Sequence, residues 1–439
     1  MRPIYLLLKV SLSYSLRLFY RRYKTINEHK ERFGSTIYVS NHPNSFMDPL
    51  VIGLRNKPVV NFMTRSDVFK WWLKPVLWAA HMLPIYRQHD GEDTKAKNND
   101  AFKSVNRALK RKSNILIFGE GFTDDIPIRS LKPVKKGAIR MGFQAVEDLN
   151  WETKIYIAAL GVNYTDRNEI GSEVVLVNGD KICLNDFKEE YLAHKSKVIN
   201  ELTKRVEREM QESVIYVKDK HWFSLHEGIM KITRKGFNNE SHDDEIPLET
   251  RFRYGQKLAR WVNEHPAGDT ELESLKKDLD TYFGLLKRMK IEDKYVLQAQ
   301  KKEKIDPRNE MAWLLMMWPL ALFGFIHAYI PYKLAKVLTE KMFKRKVFWG
   351  SVKMMLGKFF GTLFVIPVVC VVTHYFLPFW WLGIIYFLII PEFWRLSYEY
   401  GRIFKQWQIT RKTAKADLSK FVEKRTALEA QISKVCPVA

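Results

Sequence analysis

Cysteine is nearly absent from this chain of 439 residues: Cys183, Cys370 and Cys436 stand far apart, with no pairing pattern and no metal-ligand spacing. That excludes a disulfide framework and a cysteine-built metal site. A cleavage site is also lacking at the N-terminus, where Pro3 to Tyr20 is rich in Leu, Tyr and Phe but interrupted by Lys9 and Arg17 and followed by Arg21, Arg22 and Lys24. No signal peptide is therefore expected, and the stretch fits a helix lying in the headgroup layer of a membrane, or an ordinary amphipathic helix packed on a domain. Acidic residues are outnumbered, 49 against 72 basic ones, and the resulting charge of +23 calls for a negative partner. Nucleic acid, anionic lipid headgroups and an acidic substrate or carrier all qualify.

The longest absence chooses among them. No Lys, Arg, Asp or Glu occurs in the 33 residues from Phe359 to Pro391, nor in the 22 from Met311 to Tyr332, whereas a bilayer span needs only about 20. A soluble nucleic-acid binder has no use for such runs, so the expected partner is a lipid bilayer and no nucleic acid. As one helix the longer run would reach about 50 Å against a hydrocarbon core of about 30 Å, so it should fold back, with Pro378 at the bend. The connector Pro331 to Lys358 holds eight Lys/Arg against one Glu, and Arg395 to Ala439 holds ten against four acids. The positive-inside rule puts both on the cytoplasmic side. Pro319 suggests a broken, re-entrant or interfacial segment at 311–330, which keeps all charged parts on one face.

What is present upstream is an α/β pattern. Strand candidates are Thr36–Ser40, Val59–Met63, Leu83–Tyr86, Asn114–Phe118, Ile155–Val162 and Glu173–Val177, with helix candidates Pro49–Arg55, Ala101–Arg111 and Ala138–Glu147 between them. Strands polar only at their ends fit a mostly parallel sheet covered by helices on both faces. The expected division is an interfacial helix at 1–30, an α/β domain at 31–183 and a helical accessory region at 184–305. Membrane segments at 306–396 follow, comprising 311–330 and a 359–391 hairpin, and then a basic cytoplasmic tail at 397–439. No internal repeat is evident.

Directly after the first strand stands Asn41-His42-Pro43-Asn44-Ser45-Phe46-Met47-Asp48. Histidine is the side-chain type suited to act as a base for a hydroxyl at neutral pH, and Asp48 would fix the tautomer of His42. Six positions would set the two about 240° apart on a continuous helix, so the segment must loop to join them. Asp48-Pro49 is equally a helix cap followed by a first-turn proline. Phe118-Gly119-Glu120-Gly121 ends another strand, where small residues admit a ligand to backbone N–H groups, though a tight turn explains the glycines as well. Lys132, Lys135, Lys136 and Arg140 cluster around Gly137 as a candidate phosphate site, or as a solvated basic face. Arg87, after Leu83–Tyr86, has the fork geometry for phosphate oxygens.

These blocks, in this order, resemble the phospholipid/glycerol acyltransferases of the PlsC type, and in detail the yeast-type glycerol-3-phosphate/dihydroxyacetone-phosphate acyltransferase branch. The matching blocks are Asn41-His42 through Asp48, Pro84-Ile85-Tyr86-Arg87, Phe118-Gly119-Glu120-Gly121, and Ala158-Ala159-Leu160-Gly161-Val162-Asn163-Tyr164, with Lys135 to Arg140 like the family's Lys-x-Gly stretch. The resemblance covers roughly residues 35–165. It implies an O-acyltransferase in which His42, held by Asp48, deprotonates the acceptor hydroxyl, while Arg87, Glu120, Gly121, Thr123 and Lys135 bind glycerol phosphate. Acyl-CoA or acyl carrier protein would be the co-substrate, with no cofactor and no metal. Three departures stand out. Five residues rather than four separate His42 from Asp48, and Gly119 replaces the usual proline. Phe122-Thr123-Asp124 replaces Thr-Arg-Ser, removing an arginine for which Lys135 or Arg129 is a substitute. Because of that altered block, an inactive membrane-anchored interaction protein of the same fold stays open, as does acylation of dihydroxyacetone phosphate or another lysophospholipid.

Overall fold

Alternation of short apolar runs with helical stretches builds an α/β layer. The computed structural model describes residues 3–29, 34–55, 60–71, 73–85, 94–121 and 129–438, and these fall into two units, Met1–Tyr216 and Val217–Ala439.

In the first unit the strands are β1 Tyr20–Ile26, β2 Thr36–Ser40, β3 Val60–Arg65, β4 Met82–Ile85, β5 Asn114–Phe118, β6 Tyr156–Tyr164, β7 Ser172–Asn178 and β8 Ile182–Cys183. They form one sheet in the order β1-β7-β6-β2-β5-β3-β4, with β8 pairing on β6. The central strands run parallel, and β7 is antiparallel to β6. Helices α1 Pro3–Phe19, α2 Met47–Arg55, α3 Lys74–Ala79, α4 Thr94–Lys110, α5 Gly137–Asp148 and α6 Lys188–Ser213 complete the unit. Ile37 and Val39 of β2, Ile115 of β5 and Ile157 of β6 pack with α4, α5 and α6 in one buried cluster on one face. Tyr38, Leu116 and Phe62 share a register row and point to the opposite face. There Gly53 of α2 lies so close to Phe62 that an added Cβ would sit 2.2 Å from its Cζ. Both faces are thus covered, which is why β2 is buried along its whole length.

Two expected boundaries move. The N-terminal helix stops at Phe19 rather than reaching residue 30, because Tyr20–Ile26 pairs as a strand along β7. Its basic residues face a buried acid, with Arg21 3.0 Å and Arg22 3.4 Å from Glu173. The α/β unit extends beyond residue 183, since Tyr191, Val198, Leu202, Val206 and Met210 of α6 belong to the sheet's own core.

The second unit is helical: α7 Phe223–Thr233, α8 Leu248–Asn263, α9 Thr270–Met289, α10 Asp293–Gln300, α11 Arg308–Met342, α12 Trp349–Phe376, α13 Trp380–Thr413 and α14 Ser419–Val435. The fully buried Arg425 of α14 ties α7, α9, α10 and α14 together. It donates to Asp293 at 3.1 Å and to the Ile232 carbonyl at 2.8 Å, while Tyr282 donates to the same Asp293 at 2.6 Å. Arg308–Met342 and Lys346–Phe376 are long and apolar enough to cross a membrane, and only 22% and 11% of their apolar windows are buried in the protein. Phe325, Ile326, Phe359 and Leu363 accordingly point outward. The chain folds back between Phe376 and Trp380, at the bend expected at Pro378. The return arm has only 12 uncharged residues before Glu392, about 18 Å of helix.

The break expected at Pro319 does not occur: α11 continues through Pro319 and Pro331. A helical proline gives up one hydrogen bond, and packing against a neighbouring helix compensates. Here α13 approaches until Ser397 donates to the Ala321 carbonyl at 2.7 Å and an added Cβ at Gly324 would lie 2.1 Å from the Phe393 carbonyl.

Candidate active site

Three neighbouring strands, β6, β2 and β5, end side by side, and the residues just past their carboxyl ends meet. This is the edge where open α/β sheets bind ligands. β2 delivers Asn41 and His42. The Asn41 side chain completes two bonds to β6, accepting from the Val162 N–H at 2.8 Å and donating to the Val162 carbonyl at 3.0 Å. The residue before the histidine is thereby pinned.

The loop that follows solves the spacing problem. Ser45 adopts φ +45°, a left-handed conformation, and Met47 N–H closes a turn on the Asn44 carbonyl at 2.9 Å. α2 then starts at Met47, one residue before Asp48, and the carboxylate does not cap the helix. It turns back instead: Asp48 Oδ2 lies 2.8 Å from His42 Nδ1 and accepts the Asn44 N–H at 2.8 Å. Its other oxygen, Oδ1, accepts from the Tyr164 hydroxyl at 2.7 Å. Asp48 is fully buried with both oxygens engaged. A carboxylate facing Nδ1 places the imidazole proton there and leaves Nε2 as the basic nitrogen. The ring is stacked on Phe118 of β5, centroids 3.8 Å apart and planes 12° from parallel.

β5 delivers Gly119, Glu120 and Gly121. The Gly119 N–H donates to the Ser40 carbonyl at 2.9 Å, and its carbonyl accepts from Lys135 N–H at 3.0 Å. An added Cβ would stand 2.8 Å from Val39 Cγ1 and 3.2 Å from Val134 Cγ1. Proline therefore fails here twice, for want of the N–H and for want of room. Gly121 has φ +80°, and the Lys135 ammonium occupies the space its Cβ would need, 2.6 Å from that position.

The buried Glu120 carboxylate accepts from the backbone N–H groups of His42 and Lys132. Burial pushes it up to about 7, with the Asp48 charge adding to the rise and the Lys132 backbone N–H and charge opposing it. Burial, followed by the Asp48 charge, likewise raises the Tyr164 and Tyr20 hydroxyls well above the ordinary tyrosine range. Both stay protonated, and Tyr164 stays a donor.

His42, Asp48, Glu120, Gly121 and Lys135 thus surround one edge of the sheet. Arg87 and Thr123 lie outside the described residues. Arg129, named as a substitute for the missing arginine, is buried and donates to the Tyr164 carbonyl at 3.3 Å, so it reaches the same edge. Tyr164, Tyr20 and the Asn41 clamp escaped the sequence. A tyrosine at the end of a buried strand was the available signal, but only the sheet order sets it beside Asp48.

Residues 21–163 match the family model described as Acyltransferase, which takes in β1 through most of β6. Among solved structures, the chain is similar to the 1-acyl-sn-glycerophosphate (LPA) acyltransferase PlsC from Thermotoga maritima. That likeness has 20% identity and a TM-score of 0.31, and covers 46% of this chain and 78% of that one. No curated protein matched in sequence.

Proposed function

We propose that this chain is a membrane O-acyltransferase of glycerolipid synthesis. It would move a fatty acyl group from acyl-CoA or acyl carrier protein to a hydroxyl of glycerol 3-phosphate or 1-acylglycerol 3-phosphate. The observation that supports this most directly is the His42–Asp48 pair, 2.8 Å apart at the carboxyl edge of the sheet, inside the stretch matched by the acyltransferase family model.

The chemistry follows from the pair. Nε2 takes the acceptor's hydroxyl proton as its oxygen attacks the thioester carbonyl, and Asp48 stabilises the imidazolium that forms. Collapse of the tetrahedral species breaks the C–S bond, and the leaving thiolate recovers the proton from His42. The acceptor supplies the nucleophile, so no enzyme-bound acyl group is needed. Glu120 acts in this reading as a positioning residue, holding the His42 backbone. Gly121 and Lys135, and through the family resemblance Arg87 and Thr123, are the residues proposed to bind the phosphate. The intact pair favours an active enzyme over a fold retained only for binding.

The basic surplus in 331–358 and 395–439 supports an orientation with the catalytic unit facing the cytoplasm. A protease-protection assay that finds the connector and the catalytic unit on opposite sides overturns that orientation. For the activity, the purified full chain in lipid nanodiscs is given labelled acyl-CoA and a panel of acceptors: glycerol 3-phosphate, its monoacyl form, dihydroxyacetone phosphate and lysophospholipids. Transfer to a phosphorylated glycerol acceptor, abolished in His42→Ala, is expected. Transfer undiminished in His42→Ala refutes the mechanism.

A further inference from the structure

The catalytic unit carries its own apolar outer surface. Trp71 is 83% exposed and Trp78 62%. The backbone bonds Lys74 N–H to Lys70 carbonyl, 3.0 Å, and Leu77 N–H to Leu73 carbonyl, 2.9 Å, give this stretch helical spacing. Seven positions on such a path return to nearly the same side. The exposed positions 71, 74, 75 and 78 therefore form one strip, Trp-Lys-Pro-Trp, while Leu77 and Ala79 turn into the core. Lys70, also exposed, lies at its end.

A second helix of the unit repeats the arrangement. α1 buries Tyr5, Leu16 and Phe19 but exposes Leu6, Leu7 and Val10. It meets the α3 region where Tyr5 packs edge-on against His81, ring centroids 4.7 Å apart. Phe46, inside the loop joining His42 to Asp48, is 43% exposed as well. Exposed apolar residues gathered on one face, unlike singly scattered ones, mark an interaction or membrane surface. Tryptophan flanked by lysine is the composition of a surface seated at the headgroup level, where the indole is half in the hydrocarbon and the ammonium meets anionic lipid.

We propose that the Trp71–Trp78 strip is an interfacial docking surface that seats the catalytic unit on an anionic lipid bilayer. The ring of Trp71 would sit about 5–10 Å into the headgroup and acyl boundary. The occupant is lipid and not another protein: the strip carries two lysines between and beside two indoles, and the same chain holds helices fit for a membrane.

The test keeps the full chain and all its cysteines. p-Benzoylphenylalanine is introduced in place of Trp71, of Trp78 or, as a control, of the exposed Lys197 on α6, which covers the other face of the sheet. Each protein is illuminated in nanodiscs of labelled phosphatidylcholine and phosphatidylglycerol. Covalent lipid adducts at 71 and 78, several-fold above those at 197, are expected. Adducts formed only within the chain, only with another protein, or equally at all three positions overturn the proposal. The readout is lipid attachment and not turnover, so its failure leaves the acyl-transfer reading untouched, and the reverse also holds. Trp71 makes so little contact with the fold that its replacement does not threaten folding, and circular dichroism of each variant verifies this.

Discussion

Replacing Glu120 by Gln tests the clamp behind His42 through its pH dependence. The carboxyl is raised from 4.5 to about 7, chiefly by burial. Between those two values the folded protein binds more protons than the unfolded chain, so this group's contribution to stability is fully present below pH 4.5 and is lost as pH rises through 7. The gap is worth about 3 kcal/mol, of which roughly 2.5 kcal/mol falls between pH 5 and pH 8. Gln cannot titrate. Its amide offers one acceptor oxygen where the carboxyl group has two, so a pH-independent loss of about 1 kcal/mol is superimposed on the missing titration. Urea unfolding of the α/β unit, followed in detergent at pH 5 and pH 8 for both proteins, cancels all other titrating groups on subtraction. The wild type should lose about 2 to 3 kcal/mol more than the variant over that range. Parallel pH dependence in the two proteins would show that Glu120 is solvated or paired differently, and the clamp would fall with it.

Asp48→Asn should reduce kcat by about 10²- to 10⁴-fold with the acceptor KM little changed, because the amide favours the wrong imidazole tautomer; an equal loss in KM instead would mean a binding role. Tyr164→Phe removes one donor to a buried carboxylate, about 1.5–3 kcal/mol, so a kcat loss of roughly tenfold or more is expected, and unaltered kcat would remove Tyr164 from the site. Gly119→Ala should cost about 1–3 kcal/mol by overpacking against Val39 and Val134, and Gly119→Pro about 1–3 kcal/mol more by leaving the Ser40 carbonyl without its donor; equal urea midpoints for the two variants would refute the second effect. Gly324→Leu should separate α11 from α13 and lower the melting temperature in detergent, at a cost of about 3 kcal/mol, whereas an unshifted transition would mean that the helices do not touch there.

The strands were legible where both flanks spoke. Thr36–Ser40 and Asn114–Phe118 are bounded by Gly or polar residues, and their ends coincide with the observed ones. Tyr20–Ile26 was not legible, because Arg21, Arg22 and Lys24 read as a membrane-surface charge pattern until Glu173 is known to lie across from them. α6 was assigned to the accessory region by its charge density, yet one apolar residue in every three or four was enough to bury it on the sheet. Within the site, the residue types were readable and their partners were not. Chemistry singles out a histidine and an aspartate, but Tyr164 lies 116 positions from Asp48 and reaches it only through the placement of β6 beside β2.

The longer spacing between His42 and Asp48 is accommodated by the loop and leaves the pair intact. An added residue must bend out of the path, and Ser45 does so at φ +45°, a conformation that costs a non-glycine residue about 1 kcal/mol. Three contacts hold the strained turn closed: Asn44 N–H on Asp48 at 2.8 Å, the Asn44 amide on the Arg167 carbonyl at 2.8 Å and Arg167 on the Pro43 carbonyl at 3.2 Å. Two of these anchors are made by Arg167, just after β6, the strand that ends in Tyr164. One edge of the sheet thus both closes the loop around the histidine and fixes the far oxygen of its carboxylate. The imidazole is consequently held by its ring stack on Phe118, by Asp48 and by the Glu120 contact to its backbone. β5 and α2 supply this hold, with Tyr164 of β6 behind the carboxylate, so the extra residue can be absorbed in the turn without displacing His42.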